Sequence, residues 1–569
     1  MTYFLPAADA VANAARGLAL AHPGLIEVHR DPLYLLARSS NPGRTVALVS
    51  GGGSGHEPLH TGLLGPGGLD AVCPGEIFAS PHNRQIYEAG TAAAKTNGVL
   101  LIIKNYTGDV INFRIAAERL RHDGIPVATV LVDDDLATDS KDTATGRRGT
   151  AATVVLEKLL GAFADQGAKL EDLATLGTEI VARSRSLAVA ARAQTPPSST
   201  APAFDLAPGA LEYGVGIHGE RGTRTIDQRP IEDLVAQMAD ELLQALPPGP
   251  EKVLALVNGL GATTSLELHA IGSILHDLLR ARGIAPLAIV PGTFTAALDM
   301  TGFSITLTRM KPEWAELWTA PTGTPLQLSA LTLAPDTAAN VVADSAATDL
   351  PVNRAPAARA VLERYATIVS EVRDNLSALD QLVGDGDFGD NLLGGVRRAV
   401  LLSEAGTDGV AALATAFLNE VGGTSGPLFG LLFQHLATVS WSDEQPPDAL
   451  AAADAARSGL TAIHQVGGAE VGDCTLVDAL APAIDALATA AADGFDAPFT
   501  AAAEASIQGA AGTASLTARR GRASYVGEHA IGVPDPGAVG VALLFTALAE
   551  VYEPATATRL PNPQRITVR

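Results

Sequence analysis

The sequence predicts a multidomain chain. An N-terminal α/β part, made of two α/β subdomains, is followed by an all-α part arranged as a helical bundle or barrel. Three observations carry this. Up to about residue 290, short apolar strand-like runs alternate with amphipathic helical stretches. Residues 319–349 then turn rich in proline, threonine and alanine, the texture of a linker. Beyond residue 351 strand signals nearly vanish, and helical segments alternate with glycine breaks.

Taken in order, a helix is expected over 7–21. Strands follow at 45–50, 99–104 and 126–132, with helices at 86–95 and 111–121 between them. That alternation implies a mainly parallel sheet. A Pro/Ser-rich break at 195–202 separates a further α/β portion, with apolar strand candidates at 253–257 and 287–290. The last part carries helical segments at 358–379, 391–404, 410–420, 427–440, 448–465, 475–491, 499–514 and 539–552. Alanine dominates them, so helices can approach closely, and the glycine loops would gather at their ends. The sequence holds no solenoid repeat.

With 62 acidic against 39 basic residues, the net charge is −23. That disfavours nucleic acid and anionic membrane as partners, and a polyphosphate ligand would need positive charge supplied locally. Charged residues make up 18% and apolar content is ordinary, so a folded chain is expected. Two cysteines, Cys73 and Cys474, stand far apart, which argues against a disulfide framework and for a reducing cytoplasm. Neither a signal peptide nor an apolar run of membrane-spanning length is read from the sequence.

The richest stretch for chemistry runs from Leu379 to Asn391. Asp380, Asp385, Asp387 and Asp390 fall within eleven residues that also hold three glycines. Apolar residues at helical spacing precede it (Val361, Leu362, Tyr365, Ile368, Val369, Val372), and the glycines stop that helix. Like charges on a tight loop repel unless a cation neutralises them. Hard oxygen ligands suit Mg²⁺, which completes its shell with substrate phosphates. The loop is therefore a candidate nucleotide site. Other readings fit less well. Gly384–Gly389 matches G-x-G-x-x-G, but it carries two aspartates and no strand precedes it. Asp387-Phe388-Gly389 spells a protein-kinase triplet without a catalytic loop or strand lysine to match. Gly389 stands where an EF-hand needs a ligand. The bland reading is a solvated acidic turn.

Ser50-Gly51-Gly52-Gly53-Ser54-Gly55-His56-Glu57-Pro58 follows a strand, where glycines let backbone N–H groups approach a small polar ligand. His56 is its one group suited to proton transfer at neutral pH. Lys104-Asn105-Tyr106-Thr107-Gly108-Asp109 also follows a strand end, and Asp109 could accept a hydroxyl proton. In Gly214–Gly222, His218 sits between glycines. A histidine so flanked is expected to be accessible, its ring unhindered for attack on a carbonyl carbon. Gly422–Pro427 and Gly472–Thr475 precede helices and suit phosphate. Gly521–Ser524 and Asp535–Gly537 add an arginine and a turn. Singly, each is also what an ordinary surface turn looks like.

As a set, GGGSGHEP, KNYTGDV, GIHGERG, NGLGATT, LDxxxGDGDxG, GGTSGP, GRASY and PDPGA resemble the dihydroxyacetone kinase family over nearly the whole chain. The resemblance implies a ketose-binding DhaK-like domain at 1–332, a linker at 333–350 and a nucleotide-binding DhaL-like helical barrel at 351–569. It implies that His218 attacks the ketone to form a covalent hemiaminal. Gly53, Ser54, Gly55 and His56, with Lys104 and Asp109, would hold the sugar, and His56 and Asp109 would handle the proton of its terminal hydroxyl. Asp380, Asp385 and Asp387 would bind Mg²⁺ bridging the phosphates of ATP. Phe388, Gly389, Asp390, Asn391, Thr424, Ser425, Gly467, Leu476, Arg522, Asp535, Pro536 and Gly537 would surround the nucleotide. It also implies homodimers whose chains share active sites.

The chain departs from the family at Cys474-Thr475-Leu476, where many relatives have Lys-Thr-Met, and at Phe388 and Asp390. Around Gly75–Pro81 its first domain looks closer to subunits that work with a protein phosphoryl donor. The expected activity is an ATP-dependent kinase of dihydroxyacetone or erythrulose. The alternatives are a kinase that holds ADP tightly and is recharged by a phosphotransferase protein, and a non-catalytic ketose sensor. No residue argues for or against a FAD-cyclising side activity.

Overall fold

A computed structural model describes residues 3–6, 8–139, 146–197, 199–249, 252–328, 358–520 and 531–567. They fall into two compact units, Met1–Val341 and Val342–Arg569. The expected linker at 333–350 lies outside the described residues.

The first unit holds two six-stranded sheets. The first contains β1 (Ile26–Arg30), β2 (Leu33–Ala37), β3 (Ala47–Ser54), β4 (Ala71–Ile77), β5 (Val99–Lys104) and β6 (Val127–Val132), in the order β1-β2-β4-β3-β5-β6. Its four central and right-hand strands are parallel, as the alternation with helices implies, and the β1–β2 hairpin adds an antiparallel edge. The second contains β7 (Ser184–Arg192), β8 (Ala210–Tyr213), β9 (Arg224–Asp227), β10 (Val253–Gly259), β11 (Pro286–Gly292) and β12 (Thr301–Arg309), in the order β11-β10-β12-β7-β8-β9. Only β10 and β11 pair in parallel there.

Strand β3 runs on through Gly51-Gly52-Gly53-Ser54, with all eight residues buried. Glycines weaken a strand, but here they let another backbone come close. A Cβ on Gly51 would stand 2.4 Å from the carbonyl oxygen of Cys73 on β4. The helix Ala152–Asp165 is buried at twelve of its fourteen positions, as its apolar run on all faces requires. It packs against β3 of one sheet and β7 and β12 of the other, and its leucines and valines share one core with Leu48, Leu100, Leu254 and Leu256.

The second unit is all-helical among its described residues. Its long helices are Arg359–Val383, Phe388–Glu404, Gly409–Asn419, Ser425–Leu436, Ala449–Gly467, Val477–Ala492, Pro498–Gly512 and Pro536–Tyr552. Each packs on the next in sequence, and the last returns onto the first, which closes a barrel. Alanine and glycine keep the axes close: Gly459 approaches Leu432, and Gly509 the backbone of Asp478. No helix among the described residues is long and apolar enough to cross a membrane.

Candidate active site

In the first unit, loops at the carboxyl ends of strands from both sheets meet. The turn after β3 carries His56, which is fully buried. Its Nδ1–H donates to the carbonyl oxygen of Ala296 at 2.7 Å, and Leu298 N–H donates back to Gly55 O. Asn258, in NGLGATT, fixes that second loop: its Oδ1 accepts from Phe294 and Thr295 N–H, both at 2.8 Å, and its Nδ2 donates to Thr295 O. The motif thus sets the wall on which His56 rests.

His218 lies between β8 and β9. Its Nε2 is 3.1 Å from His56 Nε2. The expectation of an unhindered ring needs correction. The imidazole is boxed edge-on by His56, Phe78 and Tyr106, with ring centroids at 4.7, 5.6 and 4.5 Å. Flanking glycines free a backbone, but they do not keep distant aromatic rings away. Glu220 accepts from the His218 N–H at 3.0 Å and stands 3.5 Å from its Nδ1. Burial alone would raise the Glu220 carboxyl. The hydrogen bond and charge of His218, with Arg148 behind, outweigh that and hold it at about 2. Arg148 is itself paired to Asp135 at 2.7 Å. His56 is pushed well below the ordinary histidine range by burial, then by the charges of Lys104 and His218, so it rests neutral.

Lys104, the last residue of β5, and Asp109, in the first turn of the helix Thr107–His122, are both buried. Lys104 Nζ and Asp109 Oδ1 have no hydrogen-bond partner among the described residues. Ser54 is committed elsewhere, its hydroxyl donating to Gly75 O at 2.7 Å to tie β3 to β4. Gly53 is pressed against Phe78 and Ala79, and Gly55 takes a left-handed φ of 98°.

In the second unit, one end of the barrel opens into a cavity of about 220 Å³. Asp380, Asp385 and Asp387 line it, and one carboxylate oxygen from each lies within 4.8 Å of the others, close enough to share one divalent cation. Phe388 N–H donates to Asp380 Oδ2 at 3.1 Å, and Gly386 takes the left-handed φ of 81° that the tight turn needs. Phe388, Asn391, Thr424, Ser425, Gly467, Leu476, Asp535, Pro536 and Gly537 also line the cavity. The cavity does not reach Gly389 or Asp390. Gly389 packs against Arg373 and Ser377 of the preceding helix, and Asp390 faces solvent, paired to Arg373 at 2.7 Å. Their register on the helix Phe388–Glu404 turns them away from the face that bears Phe388 and Asn391. Arg522 lies outside the described residues, whereas Arg520 lines the cavity. The buried Asp535 carboxyl is raised to about 7 by burial, then by the charges of Asp478 and Asp380.

Residues 16–326 match the Dak1 domain and residues 382–550 the DAK2 domain. The chain belongs to the dihydroxyacetone kinase family. It is 36% identical over 571 residues to the L-erythrulose 1-kinase of Mycolicibacterium smegmatis, spanning 97% of this chain and 99% of that protein. Over 56% of its length it is 42% identical to the dihydroxyacetone-binding subunit DhaK of the PEP-dependent dihydroxyacetone kinase of Escherichia coli, and covers 96% of that subunit. Its fold matches the dihydroxyacetone kinase of C. freundii in complex with AMP-PNP and Mg²⁺. The TM-score is 0.61 at 30% identity, over 97% of this chain and 99% of that one.

Within this dihydroxyacetone kinase fold, sequence reasoning missed Phe78, Tyr106, Arg148 and Glu220. Glu220 had a local signal, an acid two residues after the candidate nucleophile. Phe78 and Arg148 reach the site only through tertiary folding.

Proposed function

We propose that the chain is an ATP-dependent kinase acting on the terminal hydroxyl of dihydroxyacetone or erythrulose, with the ketose held as a covalent hemiaminal on His218. The observation that carries this reading is the 3.1 Å contact between His56 and His218. His56 Nδ1–H is committed to Ala296, so its Nε2 accepts, and one proton sits on His218 Nε2. His56 Nε2 takes that proton, the freed lone pair of His218 Nε2 bonds to the ketone carbon, and the proton passes on to the carbonyl oxygen, which becomes the hemiaminal hydroxyl. The substituted imidazole keeps the charge of the free ring, beside Glu220. His56 or Asp109 then accepts the terminal hydroxyl's proton as its oxygen attacks the γ-phosphorus and ADP leaves. Lys104, buried and without a hydrogen-bond partner among the described residues, would donate to the sugar.

Asp380, Asp385 and Asp387 fit Mg²⁺ by ligand type and spacing; when bound, it would neutralise the phosphates of ATP. Two buried free cysteines support a cytoplasmic setting. A homodimer with shared sites is part of the same reading, and sedimentation tests it.

The likeness to the PEP-dependent subunit favours a second reading, in which tightly held ADP is recharged by a protein. Both are tested by ADP release from purified protein with Mg-ATP and, separately, dihydroxyacetone, D-erythrulose, L-erythrulose and glycerol. Turnover on a ketose and none on glycerol supports the ATP-dependent kinase. No turnover, with stoichiometric ADP carried through purification, supports the protein donor.

A further inference from the structure

Behind the glycine strand lies a polar cluster that the proposed reaction does not use. Glu157, in the middle of the buried helix Ala152–Asp165, accepts from His60 Nδ1 at 2.6 Å, and Ser50 Oγ stands 3.0 Å from the same nitrogen. A neutral His60 ring with its Nδ1–H engaged presents Nε2 as a lone pair. It is buried and without a partner among the described residues, as are Glu157 Oε2 and Lys104 Nζ. His60 Nε2 and Lys104 Nζ converge on one point, at 3.4 and 2.8 Å from where a Cβ on Gly52 would stand.

We propose that the Glu157–His60 pair is a positioning unit for Lys104: the imidazole relays the Glu157 carboxylate's charge toward the ammonium and keeps it protonated and seated beside Asp109. The inference rests on the ketose-kinase reading, in which Lys104 meets the sugar. A buried ammonium is costly unless it is compensated. Burial lowers the Lys104 pKa, while Asp109, Glu157 and Glu57 raise it. The groups facing it are thus Asp109 from the helix after β5, Glu157 from the buried helix, Glu57 from the turn after β3, and the imidazoles of His56 and His60. Removing the Glu157 charge takes away one of the raising influences, so Lys104 loses its proton at lower pH.

The test is the pH dependence of kcat/KM for the ketose in wild type, Glu157→Gln and His60→Asn, with the Tm of each. In Glu157→Gln the alkaline limb is expected to move to lower pH by on the order of one unit. In His60→Asn, which keeps a donor to Glu157 but lacks the Nε2 atom, KM for the ketose is expected to rise on the order of tenfold, with the KM for ATP unchanged. A folded Glu157→Gln whose limb stays put overturns the proposal. If that variant does not fold, an unchanged ketose KM in His60→Asn does so. Wild type that turns over no ketose removes the underlying reading, and this inference with it.

Discussion

The Nε2 atoms of His56 and His218 stand 3.1 Å apart, and both Nδ1 atoms face oxygens, Ala296 O and the Glu220 carboxylate. Two such lone pairs cannot face each other at that distance, so the rings share a single proton. Replacing either ring breaks the pair differently. His218→Ala is expected to lower ketose phosphorylation by roughly 10³-fold or more. His56→Ala is expected to cost about 10²–10⁴-fold. Both should bind Mg-ATP normally by calorimetry. Near-normal turnover and ketose affinity in His218→Ala would sink covalent capture.

Glu220→Gln removes the counter-charge beside His218. A hydrogen bond to a charged group contributes about 1.5–3 kcal/mol, so kcat/KM for the ketose is expected to drop roughly 10–100-fold. The variant also changes acid stability. Glu220 is held at about 2 against an ordinary 4.5, so its stabilisation is present above the ordinary value and lost as pH falls toward the lower one. Thermal melts across that window should show a shallower acid decline in Glu220→Gln.

The carboxylates of Asp380, Asp385 and Asp387 repel one another when no cation is bound. Asp387→Asn relieves part of that repulsion. It is expected to leave the metal-free Tm equal or slightly higher, while abolishing the rise in Tm that Mg-ATP gives wild type. Scanning calorimetry with and without Mg-ATP decides it. An unchanged ligand-induced rise would remove Asp387 from the metal site.

Neighbouring glycines of β3 should fail in different ways. A Cβ on Gly51 meets the backbone oxygen of Cys73 at 2.4 Å, which cannot move without parting β3 from β4. Gly51→Ala is expected to cost about 1–3 kcal/mol of stability. The nearest atoms to a Cβ on Gly52 belong to side chains, the flexible end of Lys104 at 2.8 Å and His60 Nε2 at 3.4 Å, so Gly52→Ala is expected to keep its Tm and lose ketose affinity. Denaturation curves and ketose KM, measured on both, test the contrast.

The second unit was legible because its signals are local. Alanine-rich runs separated by glycine mark each helix to within a few residues, and the three clustered carboxylates sit within eight positions, Asp380 to Asp387. The first unit was less so. Strand β4 holds Pro74 and Gly75, which read as a turn, and β3 hides its end in glycines that normally stop a strand. His56 and His218 are 162 positions apart, and no spacing encodes their contact; only the family resemblance joins them. Glu157 and Lys158 did leave a trace, two charges within the apolar stretch that became the most buried helix of the unit.

The helical barrel has a property that its linear order conceals. Because Pro536–Tyr552 lies against Arg359–Val383, the succession of neighbours is cyclic, and no helix is first or last in the packing. Cutting the chain at any interhelical glycine turn and splicing the old ends would preserve every helix pair. What such a permutation would change is the order in which the pairs can form, since the longest-range closure would fall between two other helices.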